Sequence, residues 1–216
     1  FQYSDFSNTF LFLCSNSGKT KEVILLLEYA KKHGATCFAV TTVADSILSK
    51  RCDEKIILTS GFEKGVAATK SVVEQGLLYD SIIFHLANEQ GKQVNFPQIK
   101  KDLLDAGEKI EKNVNAQIDS KLVNILALAK HYFVVGLDNG VAEEIALKAY
   151  EITRKMALFY PDTHIVHGVE EAIDGDCAIV FEPSEFNNYL SDFEKFSKKT
   201  GCKLIGIDKK PNIPGL

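Results

Sequence analysis

The chain has 216 residues, 45% of them hydrophobic, and a formal net charge of −4, which suits one or two globular units, each with a sizeable core. The acidic balance and the lack of any basic run argue against a nucleic-acid partner, and no apolar run approaches the ~20 residues that span a bilayer. The five cysteines (Cys14, Cys37, Cys52, Cys177, Cys202) are scattered, with neither metal-ligand spacing nor a disulfide framework, and read as small core residues of a cytoplasmic protein.

Phe10 to Cys14 is a short apolar run bounded by polar residues, which predicts a buried strand. After the turn Ser15-Asn16-Ser17-Gly18-Lys19-Thr20, helical spacing places Val23, Leu26, Leu27 and Ala30 on one face, with Gly34 as the stop. Cys37 to Thr42 predicts a second strand, 44–52 a short helix and Lys55 to Thr59 a third strand. This alternation reads as parallel α/β. A loop over 60–65 leads into a long helix over 66–88, apolar around most of its surface and therefore expected to be buried. Residues 89–98 are a polar break, 100–115 a charged helix and 120–130 another helix. The α/β pattern then restarts: strand 132–135, helix 141–157, a short strand around Phe159 and Tyr160, a helix over 164–173, strand 177–181, helix 185–200 and strand 203–207. We therefore expect a first α/β unit over 1–96, a helical linker over 97–119 and a second unit over 120–216. The start at Phe1 without Met and the Pro/Gly-rich end suggest that both ends are cut.

The turn at 15–20 lies between the carboxyl end of a strand and the amino end of a helix. Unpaired N–H groups, the positive end of the helix dipole and several hydroxyls converge there, and a phosphate group fits that set. Serines and threonines ahead of a helix also serve as plain N-caps, but three hydroxyls and a glycine in six residues exceed what one cap requires. The tail Gly18-Lys19-Thr20 resembles that of a nucleotide-binding P-loop, but Leu13 stands where that loop needs its first glycine. In the second half, Glu144, Lys148 and Glu151 fall at i, i+4 and i+7, on one helix face, with Val141, Ile145, Ala149, Ile152 and Met156 on a neighbouring face expected to pack inward. The spacing alone equally describes a solvated face with an i,i+4 ion pair. His167 stands before Gly168, and histidine as a residue type can shuttle a proton near neutral pH.

Four landmarks in register resemble the sugar isomerase (SIS) domain family: the strand followed by Ser15-Asn16-Ser17-Gly18-Lys19-Thr20; the segment Gly65-Val66-Ala67-Ala68-Thr69-Lys70 opening a long helix; the run Glu144-Ile145-Ala146-Leu147-Lys148-Ala149-Tyr150-Glu151; and His167-Gly168. The resemblance covers essentially the whole chain. It implies a three-layer α/β/α, flavodoxin-like fold with parallel sheets and two tandem SIS units, the first lacking the family's opening βαβ element. It implies a phosphorylated sugar as ligand and a homodimer with sites at the subunit interface. We expect no cofactor and no metal, and, from the charge and hydropathy above, no nucleic-acid partner and no membrane. Carried over by position, the phosphosugar-binding residues are Ser15, Asn16, Ser17, Gly18 and Thr20, with Val66 and Ala67 beside the sugar. Glu151 matches the catalytic base, Glu144 and Lys148 share its face, and His167 matches the ring-opening residue, often supplied across the dimer. Val169 stands where the family usually has Pro, and Ala68 where it often has Ser. The implied activity is isomerisation or deamination of a sugar or amino-sugar 6-phosphate through an enediol or enediolamine. A fructosamine 6-phosphate deglycase and a non-catalytic phosphosugar sensor are the alternatives on the same scaffold.

Overall fold

The computed structural model describes residues 5–61 and 63–207, with Ser184 described by its backbone alone. The Pro/Gly-rich end expected after residue 207 lies outside them. The chain divides into two compact units, residues 1–100 and 101–216.

In the first unit β1 (Phe10–Cys14), β2 (Thr36–Thr41) and β3 (Glu54–Ile57) form a parallel sheet in the order β1-β2-β3. The alternation along β1 sorts the layers. Leu11 and Leu13 point to one face, where α1 (Lys21–Lys32) brings Leu27 and Ala30 into a core shared with Cys37, Ala39 and Leu48. Phe12 points to the other face, where it stacks on Phe38 at 5.1 Å and meets Tyr79 edge-on at 6.2 Å. Tyr79 belongs to α3 (Lys70–Glu89), and its hydroxyl bonds the Cys14 thiol. The short α2 (Ile47–Arg51) is capped by Ser46, whose Oγ accepts from the Ser49 N–H at 3.2 Å.

The long helix departs from the sequence reading. It begins at Lys70 rather than 66, and it is not buried: of its residues only Ser71 is fully enclosed, while Val73, Ile83 and Leu86 are exposed. A helix apolar all round needs neighbours on several sides, and the face of a sheet three strands wide, about 15 Å across at the usual strand spacing, covers only the stripe that carries Tyr79. Helix α4 (Phe96–Val114) follows and likewise has no buried residue.

In the second unit β4 (His131–Gly136), β5 (Met156–Pro161), β6 (Cys177–Phe181) and β7 (Lys203–Gly206) form a parallel sheet in the order β5-β4-β6-β7. Phe133, Val135, Ile179 and Phe181 pack on one face with Phe193 and Phe196 of α7 (Leu190–Thr200). Phe181 and Phe193 stack at 4.8 Å. Tyr132, Val134, Ala178 and Val180 serve the opposite face, under α5 (Ser120–Leu128) and α6 (Val141–Thr153).

Three further expectations are corrected here. Helix α6 stops at Thr153, because Arg154 takes a left-handed conformation (φ 58°) and Met156 is already in β5. Its inward face is Ala142 and Ala146, with Ala149 half-buried, whereas Val141, Ile145 and Ile152 are exposed, as is Met156. The reason is proximity: a Cβ on Gly136 would sit 2.4 Å from the Ala142 Cβ, so only small residues fit between α6 and β4. Residues 164–173 are not one helix but two short 3-10 turns, His164–Val166 and Glu170–Ala172, broken at Gly168 (φ 87°). Among the described residues no helix is long and apolar enough to cross a membrane.

Candidate active site

The turn after β1 is built around Ser15, Asn16 and Gly18. Ser15 is buried, and its N–H donates to the Val40 carbonyl at 3.0 Å, continuing the sheet by one rung. Its hydroxyl lies 2.8 Å from Thr20 Oγ1. Gly18 is left-handed (φ 62°), its N–H donates to the Ser15 carbonyl at 2.9 Å, and its own carbonyl accepts from the Leu48 N–H at 3.1 Å. A Cβ at Gly18 would fall 2.3 Å from the Ser46 Cβ, so glycine is required twice, for φ and for space.

Thr20 stands at the N-cap position of α1 but makes no capping bond. Its hydroxyl is spent on Ser15, so the first N–H groups of α1 have no side-chain cap. Ser17, Lys19 and Thr20 are exposed. The turn therefore presents hydroxyls, backbone donors, a cation and a helix amino terminus to solvent at one point, which is what an anion needs.

Asn16 is less free than its sequence position suggests. Its carbonyl accepts from the hydroxyls of Thr41 and Thr42, each at 2.9 Å. Its side-chain Oδ1 accepts from Thr42 Oγ1 at 2.8 Å, and its Nδ2 donates to Glu63 Oε2 at 3.3 Å. Glu63, Thr41 and Thr42 are residues that the sequence reading missed. The only signal for Glu63 was a carboxylate shortly ahead of a helix start. Glu63 Oε1 accepts from the N–H groups of Thr69 (2.7 Å) and Lys70 (3.0 Å), and Oε2 accepts from the Ser71 hydroxyl. The Ser71 hydroxyl and then the Thr69 N–H lead the bonds that hold the Glu63 carboxyl down at about 2. Glu74 does the same further along α3. Desolvation raises its pKa, but the bonds from Ser60 and Thr59 outweigh this and bring it to about 2. Val66, 90% exposed, and Ala67 lie in the loop between Glu63 and α3.

Glu144, Lys148 and Glu151 do share one face of α6. Lys148 Nζ lies 3.3 Å from Glu144 Oε1 and 2.8 Å from Glu151 Oε2, and its side chain is only 17% exposed. Desolvation pulls the Lys148 pKa down, but its bonds to Glu151 and Glu144 outweigh this and the net shift is upward. His167 is exposed and lines a groove with Val166, Asp192, Lys195 and Lys199. Among the described interactions none joins it to the three residues on α6. The candidate binding residues thus belong to the first unit and the candidate catalytic residues to the second. All five cysteines are free thiols whose pKa burial pushes up, that of Cys52 to about 11, so none is poised as a nucleophile.

Residues 6–84, which contain the turn, Glu63 and the 65–70 segment, match the family described as SIS domain. Over that stretch the chain is similar to the SIS domain family. Beyond that match, 208 residues are 30% identical to the glutamine–fructose-6-phosphate aminotransferase (isomerizing) of Clostridium tetani, covering 93% of this chain and 34% of that protein. The chain thus spans about a third of the length of this relative. Two solved structures share the fold. The C-terminal domain of glucosamine-fructose-6-phosphate aminotransferase from Francisella tularensis superposes with a TM-score of 0.76 at 22% identity, covering 96% of this chain and 61% of that one. Glucosamine-6-phosphate deaminase from Thermotoga maritima gives 0.72 at 21% identity, over 96% and 63%. The α/β fold shared with these two structures therefore extends past residue 84.

Proposed function

We propose that this SIS protein binds a sugar or amino-sugar 6-phosphate and isomerises it between aldose and ketose forms. The observation that carries the reading is the uncapped start of α1 beside the Ser15–Thr20 hydroxyl pair, with Ser17 and Lys19 exposed around it. The relatives' names, which specify fructose 6-phosphate, support the substrate class.

In this reading the turn of Ser15, Asn16, Ser17, Gly18 and Thr20 receives the phosphate, with the exposed Ser17 hydroxyl and the uncapped first N–H groups of α1 as donors, and Val66 and Ala67 flank the sugar. Glu151 removes a proton from one carbon and returns it to its neighbour through an enediol. Lys148, paired with Glu151 and Glu144, aims Glu151 between transfers. His167 opens the ring, supplied by the second copy of a homodimer. A sensor that binds without turnover is the second reading on the same scaffold, and the presence of both Glu151 and His167 favours the enzyme over it.

A thermal-shift panel separates these. Fructose, glucose, glucosamine and fructosamine 6-phosphates are each compared with the unphosphorylated sugar. A ligand at 100 times its Kd stabilises the native state by about 2.7 kcal/mol. Phosphorylated sugars raising the melting temperature, with the free sugars inert, is the expected result. Equal effects of both, or none, would contradict the proposal. Binding without turnover selects the sensor, and a response to fructosamine 6-phosphate alone selects the deglycase.

A further inference from the structure

We infer that Glu63 is a positioning residue that fixes the sugar-side loop against the phosphate turn, so that the site distinguishes a sugar phosphate from a free phosphate. This rests on the reading of the 15–20 turn as a phosphosugar site. The geometry is that of a two-sided staple. Oε1 of Glu63 gathers the N–H groups of Thr69 and Lys70 and, at 3.2 Å, the Thr69 hydroxyl. This closes the loop that carries Val66 and Ala67 onto the amino end of α3. Oε2 takes the buried Ser71 hydroxyl and reaches Nδ2 of Asn16, in the turn itself.

The Asn16 amide lies between Thr42 and Glu63. Thr42 Oγ1 has one hydrogen for both the Asn16 carbonyl and Oδ1, so the acceptor-only Glu63 carboxylate is what turns Nδ2 toward itself. One carboxylate thus joins two segments far apart in sequence, one proposed to hold the phosphate and one to flank the sugar. A free phosphate occupies only the first. A sugar phosphate spans both and is bound well only if their spacing is preset, because loose alignment forfeits the gain of a second contact.

A glutamine at 63 separates the two halves of the staple. Its carbonyl can still accept from Thr69 and Lys70, but its NH2 replaces the charged acceptor that faces the Asn16 Nδ2, so that bond is lost unless the Asn16 amide turns over. The test uses the full chain, with fructose 6-phosphate and inorganic phosphate titrated calorimetrically into the wild type and Glu63→Gln. The expected result is a Kd for fructose 6-phosphate raised roughly tenfold or more, as the loss of a charge-assisted contact implies, while inorganic phosphate changes by less than about threefold. Equal weakening of both ligands would make Glu63 a merely structural prop of the turn and overturn the inference, as would no change in either. A wild type that binds neither probe would overturn the phosphosugar reading itself, and the inference with it. If Glu63→Gln does not fold, Glu63→Asp, which keeps the charge but draws it back by one methylene, is measured with the same expectation and the same contradicting outcomes.

Discussion

The two units place the same device, a strand running into a helix through a short turn, in opposite electrostatic settings. After β1 the turn is rich in hydroxyls, the threonine at the N-cap is committed to Ser15, and Lys19 and Lys21 flank the one first-turn carboxylate of α1, Glu22. After β4 the turn is Gly136-Leu137-Asp138-Asn139-Gly140, and Asn139 Oδ1 already accepts from the Val141 N–H at 3.1 Å. Two carboxylates, Glu143 and Glu144, occupy the first turn of α6, and Glu182 and Glu185 line the pocket beside it. A helix amino terminus attracts anions only while nothing else has satisfied it. The first turn is rich in hydroxyls and lysines, whereas the second is acidic and has its Val141 N–H already bonded to Asn139, so the side chains at each turn set how well it suits an anion. The helix behind the second turn carries the carboxylates proposed for chemistry.

That division predicts separable defects. Glu151→Gln keeps the shape and a bond to Lys148 but removes the base, so turnover falls by on the order of 10²–10⁴ while phosphosugar affinity holds, as steady-state kinetics beside calorimetry would show. The glycines of the two turns should differ in stability cost. Gly18→Ala adds a left-handed penalty to a collision with Ser46 and costs about 2–4 kcal/mol, whereas Gly140→Ala, left-handed too but in open space, costs only about 1 kcal/mol by urea unfolding. In affinity, Ser17→Ala weakens a sugar phosphate about tenfold and leaves the unphosphorylated sugar unchanged, while Asn139→Ala, in the filled turn, alters neither ligand and costs only about 1 kcal/mol of stability.

The smallest effect is a pH dependence confined to the first unit. Glu63 and Glu74 titrate at about 2 in the folded state against an ordinary 4.5. A depressed folded pKa contributes stability that is complete above 4.5 and lost as pH falls toward 2. Melting temperature should therefore drop between pH 5 and pH 2 more steeply in the wild type than in a Glu63→Gln, Glu74→Gln double variant, and the two profiles should run parallel above pH 5.

Much of this was legible in the sequence because local rules agreed. The bounds of β1 (Phe10–Cys14), the turn and helix that follow it and Gly34 just past that helix's end agree with the sequence pattern, although only Leu13 of the strand is buried. What failed depended on distance across the fold. The stop of α6 at a left-handed Arg154 has no glycine to announce it, and its alanine face is dictated by Gly136, a residue on another element. The exposure of α3 followed from the width of the sheet beneath it, which periodicity does not report. At the site, Ser15, Gly18 and Thr20 could be picked from spacing, but Glu63 could not, because its partners Asn16 and Ser71 meet it only through the tertiary fold.

The most direct measurement is an amide NMR titration of the full chain with inorganic phosphate. If the turn after β1 grips the anion, the N–H resonances of residues 16–22 move and saturate together, while those of 138–143 stay still. Shifts at 138–143, or elsewhere with 16–22 unmoved, would contradict the account.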